Sequence, residues 1–260
     1  MFLGIDIGSS SSKAVIIDSQ GEVLGAHVKN TGIGSDGPEE AVSVSLAKAG
    51  LAQTDVLYTV VTGYGRLTWA MADRQIAELS CHAKGASRLV PTARALIDVG
   101  GQDAKAIRLE KGSIVNFAMN DKCAAGTGRF LEVMARVLNC SLSELMELAG
   151  KAGKEVGISS TCAVFAESEV ISQLAAGEKR EDVARGAHAS IARRIAGLAG
   201  RVGVLADVVM TGGVAQNKDV VAELEKVIKM KIIVPERPQL IGAFGAAIYA
   251  KESFDKKTEV

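Results

Sequence analysis

The sequence predicts an α/β protein built from two duplicated lobes. Three observations carry that expectation. Ile5-Asp6-Ile7-Gly8, four residues, Lys13-Ala14 returns as Ile97-Asp98-Val99-Gly100, four residues, Lys105-Ala106. Short apolar runs of strand length alternate with stretches whose apolar residues recur at helical spacing. The 260 residues are enough for two lobes, each with its own core. The first lobe is placed at residues 1–94, joined by a terminal helix at 241–260, and the second at 95–240.

The elements follow in order. Gly4 to Asp18 reads as strand, tight polar turn, strand, and Glu22 to Val28 as a third strand. A turn of Gly8, Ser9, Ser10, Ser11 and Ser12 can present amides and hydroxyls to a phosphate, with Lys13 adding charge. Asp6, at the end of an apolar strand, is placed to hold a hydrated magnesium ion. Gly32 to Gly37 fits GxGxxG but follows a hairpin, so a dinucleotide site is rejected; Pro38 instead opens a helix over Glu39 to Ala49. Val56 to Val61 reads as a buried strand, and Cys81-His82 opens a helix. The second copy of the motif leads into a strand pair, Ala104 to Leu109 and Ser113 to Phe117.

Ala184 to Val204 has Ala187, Ile191, Ile195, Leu198, Ala199 and Val202 on one face, as an amphipathic helix does. Asp207 to Asn217 gives a strand, the pair Gly212-Gly213 and a helix start; paired glycines let backbone approach a ligand closely. Lys231 to Val234 is a last strand. Gly242 begins a terminal helix whose bare face is expected against a nucleotide base, and Asp255 to Val260 read as a frayed tail.

Lys+Arg 30 against Asp+Glu 30 leaves no net charge and no polybasic run, which argues against nucleic acid or an anionic membrane as partner. No apolar run reaches the length of a membrane span, and no signal peptide is evident, so the cytoplasm is the expected setting.

Four cysteines occur, none in a CxxC pair, and a cytosolic chain of this size is expected to keep them free or on a metal. Cys123 stands where a loop of small and polar residues gives way to a helix containing Phe130, Leu131, Met134, Val137 and Leu138. A helix start stabilises a thiolate, so Cys123 is a candidate ligand or nucleophile; the alternative is a small buried cysteine beside a cap. Cys162, after Ser159-Ser160-Thr161, again stands at an element start. Cys140 falls at a helix end, where the dipole disfavours a thiolate. If only two cysteines are ligands, Cys123 and Cys162 are the pair.

Asp6-to-Lys13, Asp98-to-Lys105 and Met210-to-Asn217 resemble the two phosphate motifs and the adenosine motif of the actin/Hsp70/sugar-kinase (ribonuclease H-like) superfamily, and no Walker A pattern is present. Asn120-to-Phe130 and Ser159-to-Leu174 resemble, more specifically, the iron–sulfur ATPase activators of 2-hydroxyacyl-CoA dehydratases. That resemblance implies ATP in the cleft between two lobes. It also implies a homodimer sharing one 4Fe-4S cluster, with Cys123 and Cys162 as this chain's ligands. The implied activity is ATP-gated transfer of one electron from reduced ferredoxin or flavodoxin to the dehydratase (component D). On this reading Asp6 and Asp98 hold magnesium through water, while Ser10, Ser11, Ser12, Lys13, Gly100 and Gly101 surround the phosphates. Gln102 or Asp103 orients the attacking water, and Gly212, Gly213, Gln216 and Gly242 approach adenosine of ATP or ADP.

Two rivals remain. A small-molecule kinase of the same superfamily needs a substrate pocket and a base but no cysteines at two element starts. A protein that uses ATP as an assembly switch predicts polymerisation without iron.

Overall fold

The computed structural model describes residues 1–159 and 162–258. In chain order it begins with β1 (Phe2–Ile7), β2 (Ser12–Ile17), β3 (Val23–Lys29), α1 (Gly37–Ala49), β4 (Tyr58–Thr62), β5 (Arg74–Gln75) and α2 (Glu78–Leu89). There follow β6 (Ala95–Val99), β7 (Ala104–Glu110), β8 (Ser113–Asn120), α3 (Gly128–Val137), α4 (Leu142–Gly150), α5 (Ala163–Ala175) and α6 (Arg180–Val202). The last elements are β9 (Val208–Thr211), α7 (Lys218–Ile228), β10 (Ile232–Ile233) and α8 (Ile241–Thr258). Two compact units result. One comprises Met1–Ala93, Leu109–Ile114 and the chain from Pro235; the other comprises Arg94–Arg108 and Val115–Val234.

The first unit is a five-stranded sheet in the order β3-β2-β1-β4-β5, with β1 antiparallel to β2 and parallel to β4. The second sheet runs β8-β7-β6-β9-β10, with β6 antiparallel to β7 and parallel to β9. Strand for strand, the connectivity is the same, so the short sequence repeat marks the duplication of a whole sheet. Every residue of β1 is buried, because alternate side chains face opposite layers. Leu3, Ile5 and Ile7 join Ala41, Val42 and Leu46 of α1, whereas Phe2 joins Ala243, Phe244, Ala246 and Ala247 of α8. In the second unit Ile97 and Val99 pack with Phe130 and Met134 of α3 and with the apolar stripe of α6.

Several boundaries differ from expectation. The strand expected over Val56 to Val61 is Tyr58–Thr62, and Lys231 to Val234 contributes only Ile232–Ile233. The tail does not fray at Asp255: α8 continues to Thr258, held by the Lys251–Asp255 pair at 2.6 Å and by Phe254, whose ring centroid lies 5.6 Å from that of Phe2. Residues 259–260 lie outside the described residues.

Two of the three glycines of α6 stand in opposite circumstances. A Cβ on Gly186 would lie 1.8 Å from the carbonyl oxygen of Val156, where the segment after α4 crosses the helix. A Cβ on Gly197 would meet nothing within 4 Å. Gly186→Ala is therefore expected to destabilise the protein by about 3 kcal/mol. Gly197→Ala is expected to stabilise it by about 0.5–1 kcal/mol, through helix propensity. Urea midpoints at unchanged m-value test both, and equal shifts for the two variants would refute this account.

Candidate functional site

The repeat becomes a pair of equivalent turns. Hairpin register sets Asp6 opposite Lys13 and Asp98 opposite Lys105. Each turn is closed by its glycine amide, Gly8 donating to the Ser11 carbonyl at 3.0 Å and Gly100 to the Asp103 carbonyl at 2.9 Å. Each lysine meets its aspartate: Lys13 Nζ lies 3.2 Å from Asp6 Oδ2, and Lys105 Nζ 3.3 Å from Asp98 Oδ2. Lys105 also lies 2.7 Å from Asp103 Oδ2 and is 1% exposed, so its ammonium is satisfied by two carboxylates inside the fold. Lys13, expected to add charge for a phosphate, is paired with Asp6, because the four-residue turn brings strand end and strand start together.

A second repeat escaped the sequence reading. β4 ends in Thr62-Gly63 and β9 in Thr211-Gly212, in register beside Asp6 and Asp98 respectively. Both glycines have positive φ, 88° and 87°. A Cβ on Gly63 would come within 2.5 Å of Asp6 Oδ1, and one on Gly212 within 2.3 Å of the Val99 carbonyl oxygen. The readable signal was a Thr-Gly pair closing an apolar strand in each half.

The two carboxylates then diverge. Thr211 Oγ1 donates to Asp98 Oδ1 at 2.8 Å, so both Asp98 oxygens are engaged. Thr62 Oγ1 instead donates to the Ile76 carbonyl at 2.9 Å. Asp6 Oδ1 is buried and, among the described residues, has no hydrogen-bond partner. An unpaired buried carboxylate oxygen is costly, and it suits a hydrated divalent cation. The residues present thus fit magnesium at Asp6 better than at Asp98.

The serines separate as well. Ser10 is exposed and Ser11 half-buried, whereas Ser12 is fully buried and donates Oγ to the Thr31 carbonyl at 2.9 Å. Ser12 is corrected from phosphate contact to structural residue, since it already belongs to β2. The loop with the GxGxxG pattern leans on this turn, with the Ile33 amide donating to the Gly8 carbonyl at 3.0 Å.

In the second turn Gln102 is exposed, while Asp103 is held by Lys105. The carbonyls of Gly100 and Gly101 accept the amides of Gly128 and Arg129 at 2.9 and 2.8 Å. The first amides of α3 therefore end on this turn. Cys123 lies further back. It precedes a single 3₁₀ turn, Ala124–Gly126, and Thr127 is the residue that starts α3. The expectation that Cys123 draws on the dipole of the long helix is corrected accordingly. Asn120 holds the cysteine instead: its Oδ1 accepts from the Cys123 amide at 3.1 Å and its Nδ2 donates to the Cys123 carbonyl at 2.7 Å.

Cys162 does cap a true helix, its carbonyl accepting from the Ala166 amide at 2.9 Å at the start of α5. Ser159, three residues earlier, gives its amide and hydroxyl to Glu169 of α5 at 3.0 and 2.9 Å. Ser160 and Thr161, the other hydroxyls expected there, lie outside the described residues. Cys123 and Cys162 are both exposed and belong to no disulfide, and α3 packs against α5. Val164 and Phe165, exposed beside Cys162, add an apolar rim. Two solvent-facing thiols with backbone held in place suit a thiolate-ligated group completed from outside the chain. The other cysteines do not fit: burial pushes the Cys81 thiol up to about 12, and burial also raises that of Cys140.

Gly213 and Gln216 are exposed after β9, and Asn217 caps α7, its Oδ1 accepting the amides of Asp219 and Val220 at 3.1 Å each. Gly242 is corrected. It is buried, and a Cβ there would lie 2.7 Å from His82 Nε2 and 3.1 Å from Asp6 Oδ2. The small face of α8 is a packing surface, which lets α2 and β1 approach closely, as Gly245 does against the Cys81 carbonyl.

No helix among the described residues is long and apolar enough to cross a membrane. The chain is 57% identical to an activator of lactoyl-CoA dehydratase from Anaerotignum propionicum, over 98% of this chain and 99% of that one. The solved activator of the 2-hydroxyisocaproyl-CoA dehydratase from Clostridium difficile, with bound ADPNP, matches with a TM-score of 0.96 at 47% identity, covering 100% and 97% of the two chains. Component A of the (R)-2-hydroxyglutaryl-CoA dehydratase from Acidaminococcus fermentans matches with a TM-score of 0.95 at 49% identity, covering 98% of each chain. A likeness of fold alone extends to a ROK-family glucokinase from Streptomyces griseus, at 15% identity and a TM-score of 0.59 over 96% and 99% of the two chains. With its paired turns, and with residues 3–250 matching the family model, the chain belongs to the BadF/BadG/BcrA/BcrD ATPase family.

Proposed function

We propose that this ATPase activates a 2-hydroxyacyl-CoA dehydratase (component D) in the cytoplasm, by passing it one electron taken from reduced ferredoxin or flavodoxin. The observation that carries the reading is the pair of exposed cysteines, Cys123 clamped by Asn120 and Cys162 at the start of α5, in a chain matched end to end by dehydratase activators. Two thiolates per chain are half of what a 4Fe-4S cluster takes, so Cys123 and Cys162 meet the same pair from a second copy in a homodimer. When bound, that cluster supplies the one-electron carrier. The exposed Val164 and Phe165 would lose water in such a contact. The kinase reading has no use for these cysteines.

For hydrolysis, Asp6 offers its unpaired oxygen to hydrated magnesium, and Asp98, already bonded to Lys105 and Thr211, supports that charge through water. Ser10, Ser11 and the backbone of Gly100 and Gly101 contact the phosphates of ATP or ADP, with Lys13 and Lys105 lending positive charge. Gln102, free of the Lys105 pairing that holds Asp103, orients the attacking water. Gly212, Gly213 and Gln216 approach adenosine.

Four outcomes are expected. Anaerobically purified protein should carry about two irons per chain in a particle of twice the chain mass. Cys123→Ser or Cys162→Ser should remove the iron and the dehydratase activation but keep ATPase activity, whereas Cys81→Ala and Cys140→Ala should keep the iron. An iron-free monomer that still activates the dehydratase would sink the proposal. Asp6→Asn should lower kcat for magnesium-dependent hydrolysis by roughly 100-fold while ADP still binds; full turnover would remove Asp6 from the metal site. Gln102→Ala should slow hydrolysis more than Asp103→Asn, and the reverse order in steady-state assays would exchange their roles.

A further inference from the structure

The second unit contains a buried polar group that neither the turns nor the cysteines use. His188 of α6 is 0% exposed. Its Nδ1 lies 2.6 Å from Asp219 Oδ2, and its Nε2 lies 3.2 Å from Asn217 Nδ2. The orientation of the Asn217 amide follows from its capping role, because Oδ1 must accept the two backbone amides of α7. Nδ2 is then the atom that faces the imidazole, and it can only donate. His188 Nε2 therefore accepts, and Nδ1 carries the proton and donates to Asp219.

The carboxylate is suited to that task. Burial alone would raise the Asp219 carboxyl, but the bond from His188, with Arg185 nearby, brings it below its ordinary value. A helix cap by itself asks for nothing of this kind, since a serine or an aspartate would accept the same amides. The Nδ2 half of Asn217 is engaged by His188. An imidazole and a carboxylate taken from water are also a poor way to fill a core that apolar side chains could fill. What the arrangement supplies is orientation.

Asn217 closes the segment that begins at Gly212. Its amide donates to the Val214 carbonyl at 3.0 Å, and the Gln216 amide donates to the Gly213 carbonyl at 3.2 Å, which fixes the short turn carrying exposed Gly213 and Gln216. We propose that His188 is a positioning residue for nucleotide binding, holding Asn217 and through it the Gly212-to-Gln216 segment where adenosine is received. This rests on the assignment of Gly212, Gly213 and Gln216 to adenosine.

Calorimetric titration of the anaerobically purified protein with ADP and, separately, with pyrophosphate tests it. His188→Ala is expected to raise the ADP Kd about tenfold, the size of one lost buried hydrogen bond, and to leave the pyrophosphate Kd unchanged. In His188→Gln the side-chain oxygen still accepts from Asn217, and ADP affinity should return to within about twofold of wild type. Asn217→Ser, whose shorter side chain keeps the cap but no longer brings an amide donor to His188 Nε2, should reproduce the ADP loss even if His188→Ala does not fold. Unchanged ADP affinity in a folded His188→Ala or Asn217→Ser protein overturns the proposal, as does an equal loss of ADP and pyrophosphate. Gly213→Val separates the two ideas. If it leaves ADP binding intact, the adenosine assignment fails; if it weakens ADP while His188→Ala does not, the positioning role alone fails.

Discussion

The structure depends on a carboxylate and an ammonium placed face to face, out of water, at the mouth of each hairpin. Asp6 with Lys13, and Asp98 with Lys105, are cross-strand partners fixed by register. Such a pair contributes little net stability, because two desolvations offset the attraction, but removing one member leaves an uncompensated buried charge at a cost of about 3–5 kcal/mol. The pair therefore acts as a constraint. It requires a turn short enough to bring strand end and strand start together, a glycine amide to close that turn, and a glycine on the neighbouring strand so that backbone can pass the carboxylate. Gly8 and Gly63 meet those demands in the first unit, and Gly100 and Gly212 in the second.

From that shared frame the two copies have separated in chemistry. One threonine hydroxyl makes the difference: Thr211 satisfies Asp98, whereas the equivalent Thr62 turns to the Ile76 carbonyl and leaves Asp6 with an open oxygen. The second turn is rigid in another way. Its acid, Asp103, is locked to Lys105, and its glycine carbonyls are engaged by the first amides of α3. A turn of this kind presents fixed dipoles with little left to reorganise, the arrangement that favours charge stabilisation over flexibility. It is also joined through α3 and one 3₁₀ turn to Cys123, with Asn120 holding the cysteine from the preceding strand.

Much of this was legible in the chain. Five identities at fixed spacing revealed the duplication. The placement of Cys162 at a helix start followed from the switch between polar loop and apolar periodicity, and α6 was readable from its stripe of Ala187, Ile191, Ile195 and Leu198. Those features are local, and local pattern carries them. The cysteine at 123 was less legible, because a single 3₁₀ turn and the opening of a ten-residue helix look alike until hydrogen bonds are assigned.

The sequence by itself determined the duplicated sheets, the element types and the residues available at each turn, since alternation, periodicity and glycine placement are properties of neighbours in the chain. Tertiary structure decided what those residues do. It turned Lys13 and Lys105 inward onto carboxylates, withdrew Ser12 into β2, and turned the bare face of Gly242 into a contact between helices. It also brought Asn217 to His188, 29 positions away. The reason is common to all of them. Whether a polar side chain is free for a ligand depends on which partners lie within 3 Å or so, and those partners are supplied by strands and helices remote in sequence.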